Sequence, residues 1–261
     1  MTLVRHELRQ GRVGFWIWTG SIAALILICI VLFPEMKTQM DSVSEMFASM
    51  GAFSAAFGMD RLNFGTLLGF YSVECGNIMG LGGAFFAAFI AAAALAKEEK
   101  DHTAEFLLTH PVSRVWVVTR KLIAIAVQLI AMNAIVFLLS VAGVAFIGEE
   151  IPWKELSLLH LAYFLMQVEV AGICFGISAF LRRGSAGIGL GLATVLYFLD
   201  LIANISDKMK ALKYCTPFGF TDGADIVTEG ALDAPLVAVG MAVTAVFIAL
   251  AYWQYSRKDI R

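Results

Sequence analysis

Residues 97–121 read KEEKDHTAEFLLTHPVSRVWVVTRK, and the runs on either side of them decide the fold. Gly76–Ala96 before the stretch and Leu122–Ile147 after it are almost wholly apolar. Each is long enough to cross a hydrocarbon core about 30 Å thick, for which about 20 residues suffice. A polar stretch between two such runs is a loop joining two membrane spans. Its interior is patterned. Glu98, Glu99 and Asp101 precede Thr103, which suits an N-cap, and Glu105 then falls in the first turn, near the positive end of a helix. Phe106, Leu107 and Leu108 follow as an apolar knuckle, and Pro111 ends the helix because the residue before a proline is pushed out of the αR region. Val112, Ser113 and Arg114 lead into the next run. The knuckle is too small for a domain core and would face water unless another surface covered it. The stretch therefore reads as a docking surface.

Working outward, the rest of the chain is mostly lipid-compatible. Of 261 residues, 59% are hydrophobic and 15% charged, too apolar for an ordinary soluble domain. Six spans are expected at about 15–33, 76–96, 122–147, 156–181, 186–203 and 235–253. Phe15–Phe33 is longer than the apolar region of a signal peptide and no small-residue cleavage site follows it, so it reads as a retained span. Ahead of it, Met1–Gly14 carries Arg5, Arg9 and Arg12 with Val4 and Leu8 one turn apart, which suits a helix lying along the membrane face. Pro34–Leu67 is mixed in character, with an external amphipathic helix expected within Val43–Met59. Asn204–Ala234 is expected to place helical patches on either side of Pro217, folded back toward the membrane.

Charge sets the orientation. Thirteen of the 19 lysines and arginines fall in segments on the N-terminal side of the membrane; the other six are Lys37, Arg61, Lys154, Lys208, Lys210 and Lys213. The positive-inside rule then places both termini and residues 97–121 in the cytoplasm, where ATP is.

Several chemistries lack their motifs. There is no G-x-x-x-x-G-K-[ST], so the chain has no P-loop to cradle a nucleotide; ATP hydrolysis would have to come from a partner. His6, His102, His110 and His160 have no paired spacing and no H-E-x-x-H occurs, so no metal site and no catalytic residues are expected. The net charge of -2 predicts no nucleic-acid partner. Gly172/Gly176 and Gly187/Gly191 are GxxxG pairs and read as helix-packing positions. Cys29 and Cys174 read as small core residues. A disulfide between Cys75 and Cys215 is left open, since sequence places no two Cα atoms within bonding range.

Ionisable groups in apolar spans are costly and each is a functional candidate. Glu169 falls near the middle of the fourth span; Asp200 and Glu74 lie nearer the outer ends of theirs. Each carboxyl admits two readings, a structural tie to a neighbouring helix or a group lining a translocation pathway. Asn77, Gln128 and Asn133 read as interhelical hydrogen-bonding residues.

The run Glu98-Glu99, Thr103–Leu108, Pro111–Arg114 and Lys121-Leu122 resembles the cytoplasmic loop after the second membrane helix in permease subunits of ABC-2 type transporters. The resemblance implies an all-α membrane protein: six transmembrane helices in one domain over 1–261, an N-terminal interfacial helix and a cytoplasmic coupling helix between spans 2 and 3. By that likeness Glu98, Glu99, Asp101, Thr103, Glu105, Phe106, Leu107, Leu108, Pro111, Ser113 and Arg114 would couple the chain to a separate ATPase. It further implies two copies of that ATPase, carrying ATP and Mg, and a second permease, identical or related. The setting is a bacterial-type plasma membrane with both termini cytoplasmic, and export is the expected direction. The rival reading is an ATP-independent secondary transporter or channel with Glu169 in its pathway.

Overall fold

The computed structural model describes residues 2–38, 50–59, 61–97, 112–181, 185–205 and 207–258. Among these there is no strand, and six helical segments are long and apolar enough to cross a membrane. In chain order the elements are α1 (Thr2–Thr38), α2 (Ala52–Ala56), α3 (Leu67–Asn77), a π-helical turn (Ile78–Gly82), α4 (Gly83–Ala91), α5 (Arg114–Phe146), α6 (Trp153–Ser178), α7 (Ala186–Ile205), a 3₁₀ helix (Asp207–Cys215), α8 (Gly223–Glu229) and α9 (Ala234–Arg257). The second span is α3, the π turn and α4 together.

The helix ends are fixed by local chemistry. Thr66, Ser113 and Asp233 each accept a backbone N–H with their side chains, opening α3, α5 and α9 respectively. Pro235 follows Asp233 in the first turn of α9, where its missing N–H costs nothing. Gly230 closes α8 at φ 62°, a left-handed position that glycine takes without a Cβ clash, and its N–H returns to Ile226 O.

Three boundaries differ from the sequence expectation. The separate interfacial helix over Met1–Gly14 is not distinct: α1 runs unbroken from Thr2 to Thr38. Nothing between Gly14 and Phe15 stops a helix, and Gly14 instead lets the Phe89 ring approach closely. Pro34 does not end α1 either; it sits within the last turns. At 37 residues α1 is about 55 Å long, well beyond the hydrocarbon thickness. The second span starts at Leu67, earlier than residue 76, because its first half carries Tyr71, Ser72, Glu74 and Asn77 and so hides from an apolar count. The expected helical patches flanking Pro217 are the 3₁₀ helix and α8.

α6 is the axis of the bundle. In its most apolar stretch 67% of residues are buried, against 17% in α7. α6 packs on α9 and α4, α5 packs on α1, and α7 rests on α4 and the 3₁₀ helix. Apolar burial drives little of this inside a bilayer, where lipid is as apolar as leucine, so close packing and hydrogen bonds must hold the helices together. Gly172 and Gly176 do this as expected, lying against Thr244 and Phe247 of α9. Gly187 and Gly191 do not: Gly191 has nothing within 4 Å, and the position on α7 that meets α4 is Gly189, against Ala88 and Ala92. The face of α7 turned toward α4 is the one that carries Gly189.

Hydrogen bonds supply the rest. Asn133 Nδ2 donates to Gln167 Oε1 at 2.6 Å between α5 and α6, and Tyr197 Oη donates to Asn77 Oδ1 at 3.2 Å between α7 and α3. Gln128 instead returns to Ala124 O of its own helix. Tyr71 Oη lies 2.9 Å from Ser140 Oγ and 2.7 Å from His160 Nε2, joining α3, α5 and α6. The four cysteines are free thiols: Cys75 is buried near Cys29, and Cys215 is exposed.

Candidate functional site

The polar chemistry of the chain gathers at the two ends of the bundle. At the end carrying the chain termini, residues 98–111 lie outside the described residues. Glu98, Glu99, Asp101, Thr103, Glu105, Phe106, Leu107, Leu108 and Pro111 therefore have no structural account here. The flanks of that segment are described. Lys97 Nζ donates to Gln10 Oε1 at 2.6 Å, tying the end of the second span to α1. Ser113 caps α5, its hydroxyl accepting from Trp116 N at 3.1 Å. Arg114 donates to the carbonyls of Tyr255, Ser256 and Lys258, fastening the start of α5 to the last turn of α9 and the residue after it, where a cation also suits the helix dipole. About two turns further in, Lys121 is 2% exposed and its Nζ lies 3.1 Å from Glu7 Oε1. A cleft of about 500 Å³ opens beside these groups, with a polar rim of Glu7, Gln10, Lys97, Lys121 and Ser185 and an apolar wall of Phe89, Ile90 and Ile125.

The opposite end carries a charge cluster that sequence reasoning missed. Arg61 reaches both Asp222, Nη2 to Oδ2 at 2.6 Å, and Asp225. Lys213 meets the same two carboxylates at 3.3 and 3.4 Å. Asp222 also caps α8, its Oδ1 accepting from Ala224 N at 3.0 Å. Burial pushes the Asp222 carboxyl up, but Lys213 and Arg61 outweigh it and hold the group below the usual aspartate range. Burial alone would lower Lys213; Asp222 and Asp225 reverse that and raise it. The members come from residues 61, 213, 222 and 225. Only Asp222 and Asp225, one turn apart at the start of α8, left a local signal; nothing in the sequence joins them to Arg61. Beside the cluster lies a cleft of about 470 Å³.

The three candidate pathway carboxyls are not brought together. Glu169 is 5% exposed and packed against α9 at Gly240, where any Cβ would overlap its Oε2, and that oxygen has no hydrogen-bond partner. Glu74 is half-buried on α3, beside Cys29 and Cys75. Asp200 is buried on α7, close to Asn204 and to the charge cluster. The three thus lie apart, on α6, α3 and α7. Among the described residues no group of three His, Cys, Asp or Glu side chains could hold a metal ion.

Six apolar helices with charged groups concentrated at the two ends define a multi-pass membrane protein. The chain matches the model of the ABC-2 family transporter proteins over residues 1–260, and it belongs to that family. It is thus the membrane subunit of an ABC transporter, and that membership implies an ABC ATPase as partner. A comparison with curated proteins finds no match.

Proposed function

We propose that this chain is the permease of an ATP-driven exporter and that residues 97–121 are its contact with the ATPase. The observation that carries the reading is how the flanks of that segment are fastened. Lys97 to Gln10, Ser113 at the cap of α5, and Arg114 to the end of α9 tie it to three spans at once. A segment held in this way moves with the helices it joins, so a push on the Phe106–Leu108 knuckle is passed to α4 and α5 instead of being absorbed locally. Charges at the rim, Glu98, Glu99, Asp101, Glu105 and Arg114, would set the register of docking more than its affinity.

The complete machine in this reading has two ATPase chains, holding ATP and Mg, and a second permease that is identical or related. Both termini face the cytoplasm of a bacterial-type plasma membrane. Among the described residues no large capture domain stands at the far end, which fits export. A channel or secondary transporter would use facing ionisable groups, and Glu169, Glu74 and Asp200, which lie apart on α6, α3 and α7, offer no such relay.

The test is co-purification from detergent with a candidate ABC ATPase from a neighbouring reading frame, comparing wild type with Phe106→Asp plus Leu107→Asp. Recovery of the ATPase with wild type and its loss with the folded double variant supports the reading. Unchanged recovery with the variant sinks it and moves attention to Glu169.

A further inference from the structure

At the end opposite the termini, a cavity of about 60 Å³ lies between α3, α6 and α7. It adjoins the cleft of about 470 Å³, since Asn204 and Asp222 line both. The cavity is large enough for a small polar group, because one water needs about 10–15 Å³ of such space. Its unsatisfied atoms share one character. Asp200 is 9% exposed, its Oδ2 accepts from Asn204 Nδ2 at 3.3 Å, and its Oδ1 has no partner. Asn204 Oδ1 is likewise without one, while the Nδ2 of the same amide is used on Asp200 and on Ala56 O. Two buried acceptors without a donor call for a ligand that donates.

Arg61 and Lys213 do not supply it, because both are engaged by Asp222 and Asp225. The rest of the wall is aromatic: Phe57, Tyr163, Tyr197 and Phe218, with the Tyr197 and Phe218 rings edge to face at 5.4 Å. Both tyrosine hydroxyls spend their protons elsewhere, Tyr163 on Thr221 O and Tyr197 on Asn77 Oδ1, so each can offer only oxygen lone pairs to the cavity. A buried carboxylate edge among aromatic side chains suits an organic ammonium, which binds by hydrogen bonds and by attraction to ring quadrupoles. A bare metal ion wants six or more oxygens and has less use for ring faces.

We propose that Asp200 and Asn204, enclosed by Tyr163, Tyr197, Phe57 and Phe218, bind a primary ammonium group whose remainder occupies the adjoining cleft. The inference goes beyond the coupling reading and does not depend on it, since the site belongs to the permease chain alone. The ammonium belongs either to a soluble amine or to an aminophospholipid headgroup, and the chemistry at Asp200 is the same for both.

The experiment uses the full chain in detergent and follows its thermal unfolding midpoint while n-butylammonium chloride is added, with n-butanol and sodium chloride as controls. The expected result is a saturable rise with n-butylammonium alone, because a ligand of the native state stabilises it by mass action. Asp200→Asn should weaken the half-saturation concentration by at least about tenfold, as expected for losing a charged hydrogen bond. Repeating the titration in nanodiscs of phosphatidylethanolamine and of phosphatidylcholine separates the sources. A rise in both discs marks a soluble amine; a rise in phosphatidylcholine but none in phosphatidylethanolamine marks a lipid headgroup already seated. No rise in detergent or in phosphatidylcholine discs overturns the proposal, and so does an equal rise with sodium chloride or an unaltered response in Asp200→Asn. Should Asp200→Asn not fold, Asn204→Asp decides: a second carboxylate tightens n-butylammonium binding, and unchanged binding refutes the site.

Discussion

The two ends of the bundle use charge in opposite ways. At the terminus-bearing end the pairs are dispersed: Lys97 with Gln10, Lys121 with Glu7 and Arg114 with the end of α9, each joining a different pair of segments. At the far end Arg61, Lys213, Asp222 and Asp225 form one connected cluster, centred on an Asp222 side chain that is 8% exposed. Dispersed ties let several helices move together when one is pushed. A connected cluster resists movement, because displacing any member leaves another charge uncompensated. The first arrangement suits an end that receives force, the second an end that holds its shape.

That contrast can be broken most severely at Asp222. Asp222→Ala removes the shared partner of Arg61 and Lys213 and the cap of α8 together, and should destabilise the folded chain by about 3 kcal/mol, read from denaturant unfolding in micelles. A loss below about 1 kcal/mol would mean that the cluster is not a fastening. The same cluster should limit stability at both extremes of pH. The Asp222 value is depressed below its ordinary 3.8, so its contribution is fully present above that pH and fades as pH falls through the lower folded value. The Lys213 value is raised above 10.5, so its contribution is present below that pH and fades as pH rises through the folded value. Asp222→Asn should erase the acid limb of the unfolding profile. A smaller effect, about 2 kcal/mol, is expected for Gly176→Leu, whose Cβ would lie 2.8 Å from Phe247 O and force α9 off α6. Smallest of all, Lys37→Ala removes an ion pair with Glu149 whose side chains are 48% and 32% exposed, and should change stability by no more than about 0.5 kcal/mol.

What could be read from the sequence follows from how local each signal is. Phe15–Phe33 and Leu122–Ile147 announce spans because nothing but lipid tolerates such runs. The Ser113 cap was not read from the sequence although it too is local, three residues from the Trp116 N–H that its hydroxyl accepts. Asp222 and Arg61 stand 161 residues apart, and only the folding back of the 3₁₀ helix and α8 joins them. The choice of Gly189 over Gly187 and Gly191 depends on how α7 is rotated against α4, which its own sequence does not encode. The π turn was equally unreadable, for Ile78–Gly82 is compatible with an ordinary helix.

That turn fixes the phase of the second span. A π turn closes its hydrogen bonds one residue further along than an α-helix does, so it accommodates one residue that a straight helix would not need. Successive α-helical residues are separated by about 100° around the axis. With every residue kept but Ile78–Gly82 wound as ordinary α-helix, Leu67–Asn77 would be swung by about that angle relative to Gly83–Ala91. Gly76 would then no longer face the Tyr163 hydroxyl while Gly83 still faced the Gln167 amide. The extra residue works as a splice between two half-helices, each free to choose the side it shows to α6.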